Sequence, residues 1–183
     1  MAIDKGLKKE LAKKKYEYYA LKPCKDDKQI EKDIKRTLIP PISNPDLREA
    51  FYDSIRRVLL AFSNFNSSIG YVQGMNIIAS CLLFNISNKD FTNIRMYEAD
   101  AFYLLAALME RYQIGTCYIN DMKRIFELSK KLETLLEEKL PTLFKHINNE
   151  EVNSLVLHFC LLLKSILLTG FAHHAYRIDW QSA

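Results

Sequence analysis

At 183 residues, 49% of them hydrophobic, the chain has enough apolar side chain for a sizeable core, which excludes bulk disorder. Five Gly and five Pro are too few for the turns of a many-stranded sandwich, so the class left is a helix-rich domain. The net charge of +4 is uneven: residues 1–36 hold 12 Lys+Arg against 7 Asp+Glu and the remainder 14 against 15, which excludes nucleic-acid binding by the whole domain and assigns the basic character to an N-terminal arm.

Residues 3–20 predict a basic, solvated helix, with Ile3, Leu7 and Leu11 four apart among lysines 5, 8, 9, 13, 14 and 15. PCKDD (23–27) breaks it. We take residues 1–27 as the arm, free to touch an anionic membrane surface, and 28–183 as the helical domain. In QIEKDIKRTLIPP (29–41), Ile30, Ile34 and Leu38 form an apolar stripe that Pro40 and Pro41 end. In SNPDLREAF (43–51), Asn44 is a capping residue and Pro45 fits the first helical position. Leu47, Phe51, Ile55, Val58, Leu59 and Phe62 then mark a buried face that runs to about NFNSS. Arg56 and Arg57 read as a solvated or partner-facing side of that helix.

After GYVQGMN (70–76), residues 75–85 are apolar all round, as in a buried helix. Residues 97–112 predict a helix with Ala101, Leu104, Leu105, Leu108 and Met109 inward, and 121–140 another, ended by Pro141. A last helix is expected over about 150–169; its run LVLHFCLLLKSILLTGF (155–171) contains His158 and Lys164 and reads as a buried helix rather than a membrane span. The expectation is an all-α fold of seven or eight helices with no strand.

The four cysteines (24, 81, 117, 160) show no CxxC or Cys/His spacing, which fits a reduced, cytoplasmic protein. No metal-ligand cluster, nucleophile elbow or phosphate-binding glycine loop is present; His146, His158, His173 and His174 stand without ligand partners at motif spacing. Two polar constellations remain inside core-building segments. One is IEKDIKRT, with Asp33, Arg36 and Thr37; the other is GYVQGMN, with Tyr71, Gln73 and Asn76. Neither arginine nor glutamine is a good general base. They are the two side chains that GTP hydrolysis uses: an amide to orient water, and a guanidinium fork to offset developing phosphate charge.

IEKDIKRT and GYVQGMN, with RRVLLAFSNFN between them, resemble the TBC-domain family of Rab GTPase-activating proteins, from about residue 28 to about 180. The resemblance implies an all-α fold and a dual-finger activator, not an enzyme on its own. Arg36 would be the arginine finger and Gln73 the glutamine finger, both offered in trans to a GTP-bound Rab. Asp33, followed by Thr37 in the motif, would hold Arg36 or its helix. Tyr71 would shape the loop beside Asn76, and Gly70 and Gly74 would permit close approach to the partner backbone. It implies no cofactor of its own: GTP and Mg²⁺ belong to the partner. It also implies a cytoplasmic protein of vesicle trafficking, peripheral to endomembranes. The alternative function is a non-catalytic module of the same fold that binds a GTPase or another protein. The C-terminal part departs from the family: no tryptophan leads LVLHFCLLLKSILL, and RIDW (177–180) stands where the family has RIWD, so this portion reads as shortened or altered.

Overall fold

The computed structural model describes residues 5–37, 39, 41–119 and 123–149. The expected helix over 150–169, the RIDW segment, Cys160, and His158, His173 and His174 lie outside them, as do Leu38 and Pro40. Among the described residues the chain is all-α, with seven α-helices and no strand.

Helix α1 spans Lys5–Ala20, α2 Asp27–Ile34 and α3 Pro45–Phe65. Asn44 caps α3: its Oδ1 accepts from the N–H groups of Asp46 (2.9 Å) and Leu47 (3.3 Å). Pro45 takes the first position, where a missing N–H costs no helical bond. Such a cap is worth about 1 kcal/mol. Helix α3 is the centre of the molecule, and α1, α2, α4 (Met75–Ile86) and α5 (Glu98–Glu110) all pack on it. Its Phe51, Ile55, Val58, Leu59 and Phe62 are completely buried, as the sequence predicted. Burial of side chains this size contributes about 2 kcal/mol each. Two short 3-10 turns, Ile94–Tyr97 and Ile114–Cys117, flank α5. Helix α6 (Lys123–Lys139) packs on the second turn and on α7 (Pro141–Asn149).

Three local expectations are corrected and a fourth is extended. The basic helix α1 is not solvated throughout. Tyr16 and Ala20 lie in the main core, and Tyr103 donates its hydroxyl to the Ala12 carbonyl at 3.1 Å. Flanking lysines hide a narrow inner stripe of small and aromatic residues, a pattern weaker than a leucine repeat. In α5, Leu104 is exposed and Phe102 is buried in its place. That helix is apolar around most of its circumference, so periodicity does not select its inner face. Arg57 is not solvated: its Nε donates at 3.0 Å to the buried Glu98, which also accepts from Tyr16 Oη and Ser54 Oγ, both at 2.8 Å. Finally, α6 does stop before Pro141, but the proline also opens α7 at its first position.

Candidate functional site

The last turn of α2 and the start of α4 come together around one carboxylate. Asp33 has no solvent exposure, and its oxygens are saturated with donors. Oδ1 accepts from Arg36 Nε (3.0 Å), Arg36 Nη2 (2.5 Å) and Gln29 Nε2 (3.1 Å). Oδ2 accepts from the Tyr71 hydroxyl at 2.7 Å. A buried carboxylate without such partners would cost several kcal/mol, so this saturation is what makes its burial tolerable. Burial, and then the bond to Asp33, push the Tyr71 phenol well above the usual phenol range. The hydroxyl therefore stays protonated and donates.

Thr37 and Asn76 add a second bridge. Thr37 Oγ1 donates to the Asp33 carbonyl (2.7 Å) and accepts from Asn76 Nδ2 (2.8 Å). Asn76 Oδ1 accepts from the Gly74 N–H at 3.0 Å. Gly74 has φ +105° and precedes α4, a conformation that side chains disfavour. Gly70 has φ +66°, and a Cβ there would lie 3.0 Å from Asp26 Oδ2. The two glycines thus allow the loop to turn twice within five residues.

The loop between them is pinned at three points and leaves one side chain outside. Asp26 Oδ2 accepts from the Tyr71 N–H (2.9 Å), Asp33 holds the Tyr71 hydroxyl, and Asn76 holds the Gly74 N–H. Gln73 is exposed, and among the described residues its amide makes no hydrogen bond. The Arg36 side chain is 59% exposed, whereas that of Asp33 is fully buried. Arg36 meets Asp33 through Nε and Nη2, and among the described residues its Nη1 makes no hydrogen bond.

All eight residues singled out in the sequence belong to this seam: Arg36 and Gln73 at its surface, Asp33, Thr37, Tyr71 and Asn76 in the network, Gly70 and Gly74 at the turns. Sequence reasoning missed Asp26 and Ser63. Ser63 Oγ donates to Asp26 Oδ2 at 2.6 Å. Asp26 directly precedes α2, but its carboxylate makes no cap bond there and crosses to the loop instead.

Two open clefts lie beside α2 and α3. One, of about 550 Å³, includes Glu31, Ile34, Glu49, Tyr52 and Asp53; the other, of about 420 Å³, includes Thr37, Ile39, Pro41, Ile42 and Arg48. Neither is lined by Arg36 or Gln73, which stand on exposed surface. Among the described residues no group of three or more His, Cys, Asp or Glu could hold a metal ion, and no helix is long and apolar enough to cross a membrane. No disulfide joins Cys24, Cys81 and Cys117, and burial pushes the Cys117 thiol up.

The family model described as the Rab-GTPase-TBC domain matches residues 3–173. GTPase-activating protein GYP5 of Eremothecium gossypii is 33% identical over 125 residues, which cover 68% of this chain and 13% of that protein. TBC1 domain family member 2A of Homo sapiens is 33% identical over 132 residues, or 72% of this chain and 13% of that protein. The chain therefore spans about an eighth of the length of these curated relatives. The crystal structure of the Ypt/Rab-GAP domain of Gyp1p superposes with a TM-score of 0.62 at 22% identity, covering 93% of this chain and 62% of that one. This last likeness shows a shared all-helical fold.

Proposed function

This chain belongs to the Rab-GTPase-TBC domain family, and we propose that it accelerates GTP hydrolysis by a Rab-type small GTPase, with Arg36 as an arginine finger and Gln73 as a glutamine finger. The observation that carries the reading is the Asp33 carboxylate. It is bonded to Arg36 and to Tyr71, and so ties the turn after α2, which carries the first residue, to the loop of the second. Both side chains stand on the surface of an otherwise satisfied network, as groups meant for a partner would.

In this reading Asp33 grips one edge of the guanidinium and leaves Nη1 open to a phosphate oxygen. A planar fork suits that task because it can bind a carboxylate and a phosphate at once. Gln73, with its amide uncommitted, orients the attacking water. Asp33, Thr37, Tyr71 and Asn76 fix the relation of the two fingers and do no chemistry themselves. GTP and Mg²⁺ come with the GTP-bound partner; this chain supplies side chains in trans and is not an enzyme alone. It acts in the cytoplasm, peripheral to endomembranes.

An arginine finger is typically worth about 10³–10⁵ in rate, or roughly 4–7 kcal/mol of transition-state stabilisation. The test is single-turnover GTP hydrolysis across a panel of Rab GTPases with wild type, Arg36→Ala and Gln73→Ala. Acceleration by wild type, lost in both variants at unchanged helicity, is the expected result. Binding of a Rab without acceleration would overturn it in favour of a non-catalytic module.

A further inference from the structure

Helix α1 has two apolar faces, and only one of them is used. Its inner face is docked from Ala12 onward. Tyr16 is buried against Phe102, with ring centroids 5.6 Å apart, and Asn64 Nδ2 donates to the carbonyls of Tyr19 (2.9 Å) and Lys22 (3.1 Å). That docking fixes the direction of the opposite face. Leu11 and Tyr18 are seven residues apart, about two turns, and so lie on one line; Tyr18 is rotated about 160° from Tyr16. Leu11 is 55% exposed, Tyr18 58%, and Leu21, just past the helix, 75%. Lys14 and Lys22 flank this ridge in solvent, Lys14 in a 3.2 Å salt bridge with Glu10 and Lys22 with its Nζ over the Tyr18 ring at 4.2 Å, whereas Lys15 Nζ stands 5.6 Å from the Phe65 ring of α3. Over residues 5–25 there are eight lysines and two glutamates, while the chain from residue 37 on is near neutral.

We infer that this outer face of α1 binds the surface of an anionic phospholipid bilayer. Both chemistries are needed for that partner. Lysine heads reach lipid phosphates while their stems lie along apolar surface, and the ridge of Leu11, Tyr18 and Leu21 enters the headgroup boundary. A nucleic acid would reward the lysines but give no reason for exposed leucines. A second copy of this chain would set one lysine-rich face against another. The opposed apolar faces also explain why the helix does not look amphipathic in sequence: a stripe at the front and one at the back cancel.

The experiment is flotation of the whole chain with vesicles of phosphatidylcholine alone and with phosphatidylserine added. Wild type should bind only the anionic vesicles, more weakly as salt rises. A lysine near such a surface contributes about fivefold in affinity, so Lys14→Gln and Lys22→Gln together should weaken binding about twenty-five-fold. The triple variant Leu11→Gln, Tyr18→Gln, Leu21→Gln should lose the salt-resistant part of binding. Every changed position is exposed, and circular dichroism verifies that helicity is retained. Equal binding to both vesicles, or binding to neither, would overturn the inference. So would wild-type affinity in the apolar variant, which would leave a surface that recognises charge and nothing more.

Discussion

Asp33 in the last turn of α2 and Arg36 in the turn just past it are three residues apart and yet live in different solvents, the second mostly exposed and the first fully buried. Sequence reasoning could see the pair, because i,i+3 residues are neighbours on a helix surface. It could not see that the carboxylate belongs to the interior, because the partner of its second oxygen, Tyr71, is 38 positions away. The asymmetry sets what a mutation does. Arg36→Ala takes two donors and a positive charge from the buried Asp33 and should cost about 3–5 kcal/mol in urea unfolding; under conditions where helicity is retained, activation should still fall by about 10³ or more. Arg36→Lys should restore little, since a point charge cannot grip Asp33 and a phosphate as a fork does. A single-turnover assay that found the lysine variant near wild type would refute the geometric role of the fork. Asp26 makes a subtler case. It holds the Tyr71 N–H, touches no proposed reacting group, and was invisible in sequence because that partner lies 45 positions away. Asp26→Ala should lower the rate at saturating partner on the order of ten- to a hundredfold by letting the glutamine loop drift. An effect confined to partner affinity, with the saturated rate unchanged, would count against it.

Between elements, the strongest tie is Glu98 at the first turn of α5. It takes donors from Tyr16 on α1 and from Ser54 and Arg57 on α3, and it is 2% exposed. Three helices therefore share one buried carboxylate. Glu98→Ala leaves their donors without an acceptor and should cost about 3–5 kcal/mol in urea unfolding; Glu98→Gln, which keeps an oxygen and the volume, should cost distinctly less. Equal losses would mean that packing, not bonding, fixes α1. Gly115 offers a steric counterpart. A Cβ there would lie 2.5 Å from Ile69 Cδ1 and 2.8 Å from the Met109 carbonyl oxygen, and the backbone oxygen has nowhere to yield. Gly115→Ala should cost about 1–3 kcal/mol by the same assay. These ties also mark where legibility stopped. The cap at Asn44 and the buried faces of α3 and α4 could be read, since capping and apolar spacing are local. The docking of α1, the inward turn of Phe102 and the start of α7 at Pro141 depend on neighbours that local pattern does not name.

Across the whole molecule, buried phenols set a limit on alkaline stability. Burial is the largest cause that pushes Tyr16, Tyr71 and Tyr118 well above the ordinary phenol value of about 10. The folded chain therefore holds three protons that the unfolded chain gives up near that pH. Their contribution is fully present below about pH 10 and is lost as pH rises toward the folded values. Each such group adds a slope of about 1.4 kcal/mol per pH unit, so three give about 4. That slope is a sizeable fraction, per pH unit, of the whole stability of a typical domain, about 5–15 kcal/mol. The protein should unfold cooperatively in moderate alkali, with part of its tyrosinate absorbance rising only as helical circular dichroism disappears. Tyr16→Phe isolates one group. It keeps the aromatic contact with Phe102 and gives up the bond to Glu98, so it should be less stable than wild type at neutral pH. Above about pH 10 its stability should fall less steeply, by about 1.4 kcal/mol per pH unit, so that the two curves converge. Parallel curves from urea unfolding over that range would mean that Tyr16 ionises as freely in the folded chain as in the unfolded one, and that the bond joining α1 to Glu98 does not hold its proton.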